Sequence, residues 1–394
     1  MNMFTYSLNM RKQRGLSLIE LLIALALSLA VMAGLASVYV ATKQSFRFQE
    51  TTGRLQEDAG YALDTVAKDL RMAGYAGCLG INKDSTPTYY PGSVITTTYS
   101  NVVDDINPLA VVTGLTGVTA AEVTAQPFTG FNFLHGFDGV TGGMFSGGGA
   151  PSGSTGDSLF FAGAGSKSAA LSAAMVTATD SLSLVADSDG WATPANTTRT
   201  FIVSRCAAST IFRGQVSGTP PSLSHTAGMG NSGTPGAVSP FNTPFSPNTT
   251  LFGTDAVVNL AQWHYYYVAT RSGASTPSLY HVFFDGSTRL PAEEVIANVE
   301  TMRLYYGEDT STGTPTWIPD TWRTTAASVT DWSRVVAVRI GVMMVSSDDN
   351  ANPGVTMTAP TLLGATYTIP TASANRLHKE FSTTVVLRNR AAAR

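Results

Sequence analysis

Arg14-Gly15-Leu16-Ser17-Leu18-Ile19-Glu20-Leu21-Leu22-Ile23-Ala24-Leu25-Ala26-Leu27 is the stretch on which the reading of this sequence turns. Residues 16–41 form a run of 26 residues that carries a single charge, Glu20. About 20 apolar residues suffice to cross a bilayer as a helix, so this run is long enough to span one. Arg11, Lys12 and Arg14 precede it. A basic flank stays on the cytoplasmic side, which places residues 1–15 inside and everything after the run outside. A secretory signal would put a small-residue cleavage site after the apolar run, but Lys43, Gln44 and Phe46 follow there. The distinctive junction, Gly15-Leu16, lies before the run, and cleavage there leaves the hydrophobic helix on the mature chain. An uncleaved anchor accounts for the basic flank and the length, but not for Glu20. A carboxylate inside an apolar span costs on the order of 3 kcal/mol, which marks it as functional.

The coincidence of basic flank, Gly15, Leu16, Glu20 and apolar run resembles the signal of type IV prepilins and type II secretion pseudopilins. That resemblance implies that a membrane prepilin peptidase cuts after Gly15 and methylates the new N-terminus on Leu16, where the family usually has phenylalanine. Glu20 then stands at the fifth position of the mature chain. The resemblance implies that it neutralises the buried ammonium of a neighbouring subunit. Two opposite charges attract strongly in an apolar core and either one alone is costly, so the pairing would set axial register, as a buried polar residue does in a coiled coil. The other reading is that Glu20 pairs within its own chain.

The helical pattern continues beyond the membrane. Leu55, Ala59, Ala62, Val66, Leu70 and Ala73 recur at spacings of three and four, a helical stripe, and Asp64 and Lys68 form a favourable i,i+4 pair. No proline occurs before Pro87. A helix from Ser17 to Ala73 would be roughly 85 Å long. Its first half, apolar all round, is expected to be buried by other subunits, and its amphipathic second half by its own head. Gly74 and Gly77 supply the stop signal. The segment Asp69-Leu70-Arg71-Met72-Ala73-Gly74-Tyr75-Ala76-Gly77-Cys78 is similar to the same junction in PilW-like minor pilins, as are Asn298-Val299-Glu300, Leu304-Tyr305-Tyr306-Gly307 and Val385-Val386-Leu387-Arg388-Asn389.

Strands are predicted at 159–161, 200–203, 263–270, 279–284, 299–306, 334–345 and 383–388, with a hairpin loop at 271–277 and a short helix or turn at 293–297. In the clearest of them Val336, Val338, Ile340, Val342 and Met344 share one face at period two. The fold class is therefore α+β: a long N-terminal hydrophobic helix with a C-terminal antiparallel β-rich head packed on its second half. The expected parts are a leader at 1–15, a spine helix at 16–75, transmembrane over 16–41 before assembly, and a head at 76–394. Within the head, residues from about 82 to 260 are rich in Gly, Ser, Thr and Pro and are read as loop-rich surface insertions.

The remaining chemistry is sparse. Charged residues make up 13% and the net charge is −3, which excludes the basic stripe of a nucleic-acid surface. Loss of Arg11, Lys12 and Arg14 with the leader takes that charge to −6. The two cysteines, Cys78 and Cys206, are too few for a scaffold, but form one bridge in an oxidising compartment or stay as buried thiols. The segment from Gly163 to Ser168 lacks the spacing of a phosphate-binding loop. Asp187-Ser188-Asp189-Gly190 and Asp348-Asp349-Asn350 read as turns. His135, His225, His264, His281 and His378 show no metal-ligand spacing, so no metal, cofactor or catalytic residue is assigned. The resemblance implies a structural subunit, a PilW-like minor pilin of type IV pilus assembly and initiation. Its implied partners are prepilin peptidase, other minor pilins, the major pilin, the inner-membrane assembly platform and a tip adhesin. It implies an inner-membrane precursor with a periplasmic head, then a place in the fibre, at its tip. The alternatives are a J-like pseudopilin of type II secretion and a membrane-anchored exported enzyme or binding protein.

Overall fold

Leucine, alanine and isoleucine without proline favour helix, and in the computed structural model helix α1 runs unbroken over Leu18–Leu70. The structure describes residues 17–75, 134–139, 155–176, 180–185, 197–205, 208–225, 252–271, 273–285, 288–312, 316–347 and 359–391. The helix stops three residues short of the expected Ala73. Gly74 then takes a left-handed φ of 74°, the conformation that favours glycine at a helix end. Its N–H donates to the Ala162 carbonyl at 2.8 Å, and the Tyr75 carbonyl accepts from Ala164 N–H at 2.7 Å. The chain thus leaves the helix directly onto the edge of a strand. The carbonyls freed at the helix end are met from far along the chain: Asn389 Nδ2 donates to Arg71 O at 3.0 Å and Ala73 O at 3.4 Å.

The strands are β1 (Leu134–Phe137), β2 (Ser158–Ala170), β3 (Leu182–Ser183), β4 (Arg199–Arg205), β5 (Ala208–Ser217), β6 (Ser222–Ser224), β7 (Val257–Ala269) and β8 (Ser278–Asp285). They continue as β9 (Thr288–Arg289), β10 (Glu293–Ala297), β11 (Val299–Glu308), β12 (Thr321–Arg323), β13 (Val335–Val345), β14 (Thr361–Leu362), β15 (Ala365–Thr366) and β16 (His378–Val386), and the short helix α2 (Arg388–Ala391) follows. Among the described residues all pairings between these strands are antiparallel, and an isolated bridge between Gly156 and Met302 is parallel. Strand β7 is the axis of a ten-stranded sheet. Strand β2 lies along one side of it; the other side is shared, residues 257–260 pairing with β4 and residues 262–269 with β8. A second sheet has the order β12-β11-β13-β16.

The chain divides between Arg54 and Leu55 into two compact units. From Leu55 onward the helix is part of the head. Leu55, Ala59, Ala62, Val66 and Leu70 share one core with Phe161, Tyr266 and Val268 of the first sheet and Leu304, Val338 and Ile340 of the second. The predicted stripe is therefore the buried stripe. On β13 the expected alternation holds for Val338, Ile340, Val342 and Met344, which join this core. Val335 joins it in place of Val336, next to a register shift against β11. The two sheets are stitched at β2. Asp157 N–H donates to Met302 O at 2.8 Å, and Asp157 Oδ2 accepts from Leu304 N–H at 2.9 Å. Gly156 makes the close approach possible, since a Cβ there would fall 2.2 Å from Thr301 Oγ1.

Two expectations about the head change. Residues 293–297 form strand β10 rather than a helix or turn, held against β8 with a register shift between Glu294 and Ile296. The stretch from about 82 to 260 also carries more regular structure than its composition predicts. Its described parts hold β1 to β6, and Phe201, Val203, Phe212, Leu223, Val258 and Leu260 build a second, separate core. Phe201 and Val203 of the expected strand at 200–203 belong to that core, and the residues they meet there lie between long Gly/Ser/Thr segments.

Candidate functional site

The residues that carry the strongest sequence signal lie at the start of α1. Gly15 and Leu16 fall outside the described residues, as do Cys78 and Cys206 and the turn candidates at 187–190 and 348–350. Glu20 is described. It is the third residue of the helix, and Ser17 is the residue before the helix begins. Ser17 N–H donates to Glu20 Oε2 at 3.1 Å, and Glu20 N–H donates to Ser17 Oγ at 3.2 Å. This is a reciprocal capping box, which satisfies the Ser17 N–H and gives the Glu20 N–H, also bonded to Ser17 O at 3.1 Å, a second acceptor. It also sets a carboxylate where the helix dipole favours negative charge. Ser-x-x-Glu is visible in the sequence, and Ser17 is the site residue that the reading of Glu20 alone passes over. The contact lies within the chain. A carboxylate offers about four lone-pair positions, so the box leaves acceptor capacity on Glu20 for a further cation.

After this first turn every residue from 17 to 50 is exposed. Every large apolar side chain in that stretch, from Leu18 through Leu27, Val38 and Tyr39 to Phe46 and Phe48, faces outward. The helix is long and apolar enough to cross a membrane. Its few hydroxyls are turned back on the helix: Ser28 Oγ donates to Leu25 O at 2.9 Å, Ser37 Oγ to Gly34 O at 2.8 Å, and Thr42 Oγ1 to Val38 O at 2.8 Å. Such back-bonding hides the polar groups of Ser and Thr from apolar surroundings. The exposed ion pair Arg54–Glu50, at 2.7 Å, belongs to the polar stretch that follows.

At the other end of α1 the structure gathers residues that are distant in sequence. Asp69 Oδ2 accepts from Tyr266 Oη at 2.5 Å and lies 3.5 Å from His264 Nδ1, which in turn is 3.0 Å from His281 Nε2. Burial works to raise Asp69, and the hydrogen bonds from His264 and Tyr266 outweigh it, holding the carboxyl below its usual range. Burial, with His264 beside it, pushes His281 down to about 4, against the pull of Asp69. Burial and the adjacent Asp69 raise Tyr266, which stays a proton donor. Two of the five histidines therefore meet a carboxylate in space. Linear spacing gave no sign of this, because the contact depends on cross-strand pairing and on the helix packing over it.

A second polar cluster joins β11 to β16. Glu300, Ser373 and His378 are all buried. Ser373 Oγ donates to Glu300 Oε1 at 2.9 Å, while His378 Nε2 lies 3.3 Å from Ser373 Oγ and 3.6 Å from Glu300 Oε2. His378 Nδ1 faces the Arg376 carbonyl at 3.0 Å. In a nucleophilic triad the acid holds the imidazole from the nitrogen opposite the serine. Here serine and glutamate meet the same nitrogen, and the arrangement is that of a structural brace.

Two family models match the chain. Residues 10–36 match the prokaryotic N-terminal methylation motif, a span that contains Gly15, Leu16, Ser17 and Glu20. Residues 265–389 match the type IV pilus-assembly protein W model, a span that runs from β7 through the second sheet to the Asn389 that caps α1. No curated protein matches the chain. Among solved structures the chain is similar to a type IV-like pilin from Thermus thermophilus, with 19% identity, coverage of 33% of this chain and 69% of that one, and a TM-score of 0.19.

Proposed function

We propose, from the premise that this chain is a PilW-like type IV pilin precursor and acts as a minor pilin in type IV pilus assembly, a specific course of processing and packing. The N-terminal methylation motif implies processing by prepilin peptidase. We place the cut between Gly15 and Leu16, with methylation of Leu16, so that residues 1–15 are a leader, 16–75 the spine and 76–394 the head. The observation that carries the reading is the exposure of every residue from 17 to 50 directly behind that junction. An apolar helix without cover from its own chain needs lipid first and other subunits later. The precursor then sits in the inner membrane with its head in the periplasm. It passes into the fibre through contacts with other minor pilins, the major pilin and the assembly platform, at the tip beside an adhesin. Glu20 receives the ammonium of a neighbouring Leu16.

The match to the pilus-assembly model favours the pilus over the secretion pseudopilus. The chain acts as a structural subunit rather than an enzyme, a reading supported by the same match. Mass spectrometry of the membrane-extracted protein tests the processing: the expected mature chain begins at methylated Leu16, and a mature N-terminus at Met1 or beyond Ala41 overturns the reading.

The same export topology carries the proposal of a Cys78–Cys206 bridge. It would close a long loop and contribute up to roughly 5 kcal/mol on the chain-entropy model. Non-reducing peptide mapping is expected to yield the linked peptides. Two alkylatable thiols in the denatured, unreduced protein would refute the bridge.

A further inference from the structure

The last turn of α1 meets the first sheet at three side chains that pilus assembly leaves without a task. Asp69 stands on the helix, His264 on β7 and His281 on β8. In the β7–β8 register Tyr266 is opposite His281 and His264 is opposite Phe283, so the two histidines are diagonal neighbours on one sheet face. The ligand atoms of Asp69, His264 and His281 all lie within 4.8 Å of one another, a grouping of three with no second instance among the described residues. We propose that Asp69, His264 and His281 bind one divalent transition-metal ion of the zinc class, which clamps the last turn of α1 to β7 and β8.

The geometry suits such an ion. Bonds of about 2.0–2.2 Å from imidazole nitrogen and carboxylate oxygen, arranged tetrahedrally, set neighbouring donor atoms about 3.3 Å apart. The separations here, 3.0 Å between the histidine nitrogens and 3.5 Å between His264 Nδ1 and Asp69 Oδ2, straddle that value. All three ligand atoms lie within 4.8 Å of one another, so seating an ion takes side-chain rotation that draws them together. Two imidazoles and one carboxylate suit zinc and its neighbours, whereas calcium and magnesium take oxygen ligands.

The ligands are also held in place before any ion arrives. Phe161 stacks on His264 with centroids 5.1 Å apart and planes 7° from parallel, and Tyr266 stacks on His281 at 4.4 Å and 12°. The Tyr266 hydroxyl fixes the carboxylate through Asp69 Oδ2. Fixed ring orientation and a hydrogen-bonded carboxylate are what an outer shell supplies to a metal site. The side chains of His264 and Asp69 remain 17% and 27% exposed, which leaves an entry path and a position for water as fourth ligand. Without a metal, the same atoms form only a hydrogen-bonded chain that ties the helix to the sheet, and the two cases differ in what they bind.

The test uses the full-length protein, purified in detergent, stripped with chelator and titrated with Zn²⁺ alone. The expected result is one ion per chain, a raised Tm, and no comparable response to Ca²⁺ or Mg²⁺. His264→Gln and His281→Gln are each expected to weaken Zn²⁺ binding about tenfold or more, the scale on which even outer-shell partners act, and to abolish the Zn²⁺-dependent rise in Tm. The metal-free Tm of each variant reports whether it folds. X-ray absorption of the loaded wild-type protein needs no variant, and is expected to show nitrogen and oxygen ligands with an imidazole signature. Absence of saturable binding, Zn²⁺ stoichiometry and Tm response unchanged in both variants, or sulfur coordination would each overturn the proposal.

Discussion

The two ends of α1 are built from similar residues and live in opposite surroundings. Leu25 and Leu70 are both helical leucines; the first is 52% exposed, the second 0%. The difference lies in what the rest of the chain offers. Beyond Leu55 two sheets close on the helix, and the sequence answers with one apolar stripe and a charged remainder. Over residues 18–41 the helix is apolar on all sides apart from Glu20, and the hydroxyls of Ser28, Ser37 and Thr42 are folded back onto its own carbonyls. Amphipathicity reports burial by the chain itself; apolarity all round reports burial by something else. The helix therefore states in its own sequence where intramolecular folding ends and assembly begins.

The comparison breaks most directly by truncating one leucine on each side. Leu70→Ala is expected to destabilise the head by about 2–5 kcal/mol, the cost of removing a fully buried leucine, with a fall in Tm of several degrees. Leu25→Ala removes the same atoms from an exposed position, and should leave the thermal transition of the head within about 0.5 kcal/mol of the parent. Thermal denaturation followed by near-ultraviolet circular dichroism checks both. Equal losses in the two variants would mean that the apolar half contributes to the stability of the head after all.

The helix, its stripe, its glycine stop and the core strands were legible because each rests on a pattern local in the sequence. What escaped the sequence depends on contacts between distant segments. β10 was hidden because Glu293-Glu294-Val295-Ile296-Ala297 has no alternation; its pairing with β8 through a register shift decides its conformation. The second core escaped because its residues, spread from Ala169 to Leu260, meet only through the pairing of strands that lie between long Gly/Ser/Thr segments. The meeting of Asp69, His264 and His281 depends on strand register and helix packing together, and linear spacing carries neither. At the N-terminus the resemblance implied a neighbouring subunit as the partner of Glu20, with pairing inside its own chain as the other reading, and the structure has an intrachain contact to Ser17.

That pair gives the smallest and sharpest test, because Glu20 now has two candidate tasks that different variants separate. Ser17→Ala removes the hydroxyl that accepts Glu20 N–H and keeps the carboxylate. Glu20→Ala removes the carboxylate that accepts Ser17 N–H, and with it any group able to meet a neighbour's ammonium. Loss of a capping interaction costs about 0.5–2 kcal/mol and frays the first turn, so both variants are expected to lose helix there by a similar amount. They should part in assembly. Ser17→Ala keeps the charge, and is expected to be cut at Gly15 and recruited into pili nearly as well as the parent. Glu20→Ala is expected to be cut, to remain in the membrane as a stable monomer, and to lose recruitment, because the missing contact lies between subunits. Pilus counts and co-purification with the other minor pilins, measured side by side, decide between the tasks. If the two variants fail equally, Glu20 acts through its cap; if both assemble as well as the parent, neither the cap nor the charge is needed; either way the register role is excluded. A difference confined to Glu20→Ala locates the role in the charge itself. A carboxylate in an apolar span is costly even with one backbone N–H donated to it, and that cost is what a partner ammonium removes as the helix leaves the lipid.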